Sequence, residues 1–112
     1  MAALSGNLFE GALGDPYQEI VTPLFETPHL KIERIVSMGQ KSPEGFWHDQ
    51  PFAEWVMILA GSAGLLFEGE SDARVMAAGD YVLIPAHVKH RVVWTSKEPP
   101  AVWLAVHIRG EA

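Results

Sequence analysis

Residues 47–55 read WHDQPFAEW and crowd a histidine, an aspartate, a glutamine and a glutamate against the apolar run WVMILAG. Successive side chains of an extended chain point to opposite faces, so His48, Gln50 and Glu54 share one side. Trp47, Asp49 and Trp55 take the other. A second polar group stands in GDYVLIPAHVKH, where His87 and His90 follow Pro85. In the strand that begins there, His90, Val92 and Trp94 share a face. Imidazoles and carboxylates together can move protons or hold a cation. They can equally form a hydrogen-bonded polar interior, and the pattern alone leaves both readings open.

The segments that would position these groups read as strands. Residues 19–27 are β-branched around a proline, which suits an edge or bent strand. In residues 29–39, Leu30 and Ile32 alternate with Lys31 and Glu33, a half-buried strand ending at Gly39. Residues 42–45 (SPEG) have turn chemistry. AEWVMILAG and AGLLFEGE are two strands split at Gly61 and Ser62, and residues 70–74 make a polar turn. YVLIPAHVKH breaks at Pro85, RVVWTS continues it, KEPP turns, and AVWLAVHIR closes the chain. Roughly eight to ten short strands at turn spacings predict an all-β sandwich or barrel. Residues 1–18, rich in Gly, Ala and Ser, are expected to be loose or to wrap around a single domain spanning residues 19–112.

Composition narrows the partners. A chain of 112 residues can bury a core without staples, and there is no cysteine to form a disulfide, a thiolate site or a nucleophile. The net charge of −6, with eight scattered Lys and Arg, gives no basic face for nucleic acid. No signal peptide is legible, and no apolar run approaches the ~20 residues of a membrane helix. The expectation is a cytoplasmic protein without a nucleic-acid or membrane partner. In AVWLAVHIR, Val102, Leu104 and Val106 make one apolar face while Trp103 and Ala105 make another. The second face needs cover from the N-terminal strand or from another copy, so a homodimer burying Trp103 or Trp55 is expected.

Taken together, the two polar groups resemble the paired motifs of the cupin superfamily, G-x5-H-x-H-x3/4-E-x6-G and G-x5-P-x-G-x2-H-x3-N. His48, Gln50 in place of the second histidine, Glu54 and Gly61 follow the first. Gly79, Pro85, His87 in place of the glycine, and His90 follow the second. Ser42 and Trp94 stand where the family has glycine and asparagine. The resemblance spans roughly residues 40 to 95. It implies a single-domain β-barrel or jelly roll (double-stranded β-helix) with a divalent metal inside. His48, Glu54 and His90 would be ligands, and Gln50 either a weaker fourth ligand or a substrate contact. Fe, Mn, Ni, Co and Zn all suit such a set.

From that resemblance, an enzyme acting on a small organic molecule in the barrel mouth is expected. A dioxygenase comes first because two histidines and a carboxylate leave open metal positions, and isomerase or lyase chemistry follows closely. Glu54 would be the catalytic group, as ligand or displaced proton acceptor, and Trp94 would wall the substrate cavity. The alternative is a binding or sensor protein whose metal site has degenerated at Gln50. His87 is expected at the surface, Asp49 facing out, and His29 and His107 in structural roles.

Overall fold

A computed structural model describes residues 2–110. Eight strands follow one another: β1 (Ile20–Glu26), β2 (Leu30–Ser37), β3 (Ala53–Ala60), β4 (Ser62–Phe67), β5 (Arg74–Ala77), β6 (Tyr81–Ile84), β7 (His90–Thr95) and β8 (Ala101–Ile108). All pairings are antiparallel. They form a five-stranded sheet in the order β1-β2-β8-β3-β6 and a three-stranded sheet in the order β5-β4-β7. The two sheets enclose a core of Val56, Ile58, Leu65, Met76, Ile84 and Trp103, among others. This is the jelly-roll arrangement expected from the strand spacing. None of the described residues forms a helix long and apolar enough to cross a membrane.

Turn chemistry sets the β3–β4 corner. Gly61 adopts φ +73°, and a Cβ there would collide with the carbonyl oxygen of Pro100. Gly79 adopts φ +92° ahead of β6 with nothing within 4 Å of a Cβ position.

Both faces of the larger sheet carry apolar residues, and the structure decides which face is inside. Across β2, β8 and β3 the inner row runs Ile35, Trp103, Ile58, and its neighbour runs Glu33, Ala105, Val56. Glu33 therefore points inward and is 6% exposed, while Ile32 takes the outer face. This inverts the reading of residues 29–39 as an apolar-in, charged-out strand. Alternation identifies two faces but not which one is enclosed.

Trp103, at 5% exposure, is likewise buried in the barrel's own core. Its burial needs no second copy, which corrects its expected place at a dimer interface. On the outer face Val36 and Val102 are also buried. There the N-terminal segment is anchored by Arg34, whose Nη1 donates to the carbonyls of Leu8 (3.1 Å) and Glu10 (2.8 Å). Gln40 Nε2 donates to the Asp15 carbonyl at 2.7 Å. β1 extends the sheet beside β2 and does not cover its face.

Candidate functional site

A cavity of about 210 Å³ opens between the sheets. His48, Gln50 and Glu54 all line it, as their shared parity predicts, and His90 joins them from β7. Main-chain pairing explains the meeting of the two histidines. His48 N donates to His90 O (2.8 Å) and His90 N to His48 O (3.1 Å), an isolated bridge that sets the residues directly opposite each other. Their rings stack with centroids 5.3 Å apart and planes 24° apart. Phe46 meets the His48 ring edge-on at 4.9 Å.

The hydrogen bonds constrain the tautomers. His90 Nδ1 lies 3.0 Å from the Val88 carbonyl, which can only accept, so Nδ1 carries a proton. Its Nε2 then faces the cavity and stands 3.8 Å from Glu54 Oε1. The other oxygen of Glu54 lies 2.9 Å from His107 Nε2, which must donate to an ionised carboxylate. Glu54 is thus flanked by two imidazoles, a geometry fixed by the cross-strand pairing of Glu54 with His107. Burial, followed by the charge of His90, pushes the His48 pKa below its usual value. The neutral ring, with a free nitrogen lone pair, is favoured there.

His107, expected to be structural, belongs to the cavity wall. Its Nε2 also lies 3.5 Å from Glu33 Oε1, and Phe52 packs on its ring at 4.9 Å. Glu19 and Glu33 line the cavity as well. The parity of His107 with Trp103 and Ala105 was a usable signal. For Glu19 and Glu33, only the tertiary arrangement brings them to the site.

Trp94 does not wall the cavity, correcting that expectation. β7 carries an extra residue relative to β4, since Gly64 pairs with Trp94 and Leu65 with Val92. The bulge at Val93 breaks the alternation. His90 and Val92 therefore face inward while the indole turns outward over Gly64 and is 38% exposed. Asp49 and His87 pair at the surface at 2.8 Å, with His87 at φ +64° in the slot the resemblance assigns to glycine.

The fit of these residues to a divalent ion can be judged from their donor atoms. His90 Nε2 and Glu54 Oε1 are two acceptors facing each other at 3.8 Å, and the His48 ring stacks alongside. Two imidazoles and a carboxylate suit a first-row metal. Among the described residues, however, no group of three or more His, Asp or Glu side chains is already gathered to hold an ion. Gln50 makes no side-chain hydrogen bond there, though its carbonyl accepts from His87 N at 2.7 Å. The donor chemistry fits.

This small β-barrel with a polar, histidine-lined interior defines the class of protein. Residues 34–107 match the cupin domain family, and the chain belongs to it. A crystal structure of a candidate mannose-6-phosphate isomerase from Ralstonia eutropha JMP134 is 51% identical, with a TM-score of 0.92 over 96% of this chain and 100% of that one. An RmlC-like cupin from Desulfovibrio desulfuricans is 18% identical with a TM-score of 0.78, covering 96% of this chain and 98% of its own. The DMSP lyase of Ruegeria pomeroyi DSS-3 is 28% identical with a TM-score of 0.60, over 76% of this chain and 40% of that one. No curated protein matches the chain.

Proposed function

We propose that this cupin is an enzyme that moves a proton on a small organic molecule in the barrel cavity, in an isomerisation or elimination. The observation that carries this reading is Glu54, a carboxylate held between His107 Nε2 at 2.9 Å and His90 Nε2 at 3.8 Å in the barrel cavity. Such a carboxylate can accept a proton on Oε1 while His107 keeps Oε2 oriented and its charge stabilised. Acid–base chemistry is the use this pairing serves most directly, so isomerase or lyase turnover is favoured over the dioxygenase expected first. The 51% identical relative, described as a candidate isomerase, supports the same choice.

His48 and His90 would hold a divalent ion, with Gln50 beside them and Glu54 as a ligand whenever it is not displaced to act as the proton acceptor. When bound, such an ion would supply Lewis-acid polarisation of a substrate oxygen. The apolar walls, Val56, Leu65 and Ile84 among them, exclude water and strengthen each charge interaction inside.

Proton exchange tests the reading. In D2O, mannose and fructose incubated with the metal-supplemented protein should exchange the hydrogen on the carbon next to the carbonyl and interconvert. Glu54→Gln should lower that rate by about 10²-fold or more. Unchanged exchange in the variant, or none in the parent, would remove the enzymatic reading. A second reading, a binding protein without turnover, is favoured by Gln50 in the place of a histidine. Ligand binding without exchange would select it.

A further inference from the structure

The cavity also has a polar wall on the β1–β2 side. Glu33 is 6% exposed on β2, and Glu19 stands just before β1. Glu19 is tied to β2 because Ser37 Oγ donates to its Oε2 at 2.5 Å. Glu33 has neighbours on either side, the Lys31 ammonium at 3.3 Å and His107 Nε2 at 3.5 Å. Neither contact is an aligned hydrogen bond. Glu33 is thus held by an ion pair with Lys31, and its carboxylate faces the cavity.

The wall's balance of donors and acceptors follows from these contacts. Glu19 and Glu33 offer four acceptor oxygens. The Ser37 hydroxyl is committed to Glu19, and the His107 proton to Glu54. No Lys or Arg lines the cavity, and the nearest ammonium, Lys31, already serves Glu33. A ligand brought to this wall must therefore arrive with hydrogen-bond donors. A phosphate dianion beside Glu33 would meet a carboxylate and a lysine already engaged with it, with Glu19 four residues further along β2, and like charges brought together are disfavoured. At about 210 Å³ the cavity also lies below the usual ~300–1,000 Å³ of ligand pockets, which limits the ligand to a small molecule.

We propose that Glu33 and Glu19 form a specificity wall that selects an unphosphorylated, donor-rich small molecule, a polyol or amine, and rejects phosphate esters. This rests on the reading of the cavity as a small-molecule site. It separates this chain's substrate class from the phosphosugar named for its 51% identical relative. The wall borders the histidine group, since Glu33 reaches Glu54 through His107, so the selection is measured both with and without an ion.

Three probes on one carbon skeleton test it: mannose, mannosamine and mannose 6-phosphate. Binding to the full-length protein is measured by calorimetry, once with chelator and once with added Mn. Mannosamine should bind at least as tightly as mannose, and mannose 6-phosphate about tenfold more weakly or worse. Glu33→Gln should abolish the preference for the amine and shrink the penalty on the phosphate. Glu33 is buried, so Glu19→Gln, at an exposed position, serves as the second variant and should shift the ratios in the same direction. Mannose 6-phosphate binding as tightly as mannose would overturn the proposal, as would equal behaviour of all three probes or ratios unmoved by both variants. Selective binding without proton exchange would leave the wall standing and remove only the enzymatic reading.

Discussion

Gln50 is where this site departs most from the set that the cupin resemblance implies. It lines the cavity with His48, and an amide offers at best a weak neutral oxygen to an ion. Replacing it by an imidazole donor should raise affinity for the later first-row metals. Gln50→His is therefore expected to bind Ni, Co or Zn more tightly in a competition titration against a chromophoric chelator. His48→Ala, Glu54→Ala and His90→Ala are expected to lose metal in elemental analysis while retaining their β-sheet circular dichroism. Parent-like metal content in all three would show that the ligands lie elsewhere. Much of this was legible from spacing, because His48, Gln50 and Glu54 share parity and His90 follows Pro85 at the family's interval. Glu19 and Glu33 were not, since only contacts between strands bring them to the site, and His107 offered no more than its parity with Trp103 and Ala105.

Strands made those contacts, and strand irregularities decided where legibility failed. Parity holds only along an unbroken ladder. The bulge at Val93 therefore carried Trp94 out of the cavity that its even number had assigned it to. Alternation in β2 was real but did not show which face is inside, because both faces carry apolar residues and Glu33 lies on the inner one. The turns were read more securely, since positive φ is a local demand met by glycine. Gly61 and Gly79 both meet it, but only at Gly61 would a Cβ strike backbone, at Pro100. Gly79→Ala should then cost about 1–2 kcal/mol, the left-handed backbone penalty alone. Gly61→Ala should cost more, because the β3–β4 corner must also move away from Pro100. Urea denaturation of the two variants checks the order, and an equal loss would mean that the corner yields freely.

Across the whole molecule, the outer face of the five-stranded sheet is unevenly covered. Toward Val36 and Val102 the N-terminal segment is fastened to Arg34. At the other end the strand register aligns an apolar row through all five strands, running Phe25, Ile32, Val106, Trp55, Leu83. Tyr81 stacks on Trp55 at 5.6 Å beside it. Phe25 and Leu83, at the two ends, are 51% and 54% exposed, and Tyr81 is 66% exposed. A continuous apolar row of this kind on a small domain is the usual mark of an association surface. With Trp103 inside the barrel, the expected homodimer depends on Trp55 and its row, and a stable one should bury at least about 1,000 Å². Sedimentation at micromolar concentration should give a dimer that Trp55→Glu converts to a folded monomer. Trp103→Phe, a core substitution, should lower stability and leave the dimer intact. A parent that sediments as a monomer, with Trp55 fluorescence open to acrylamide, would leave the row as bare surface.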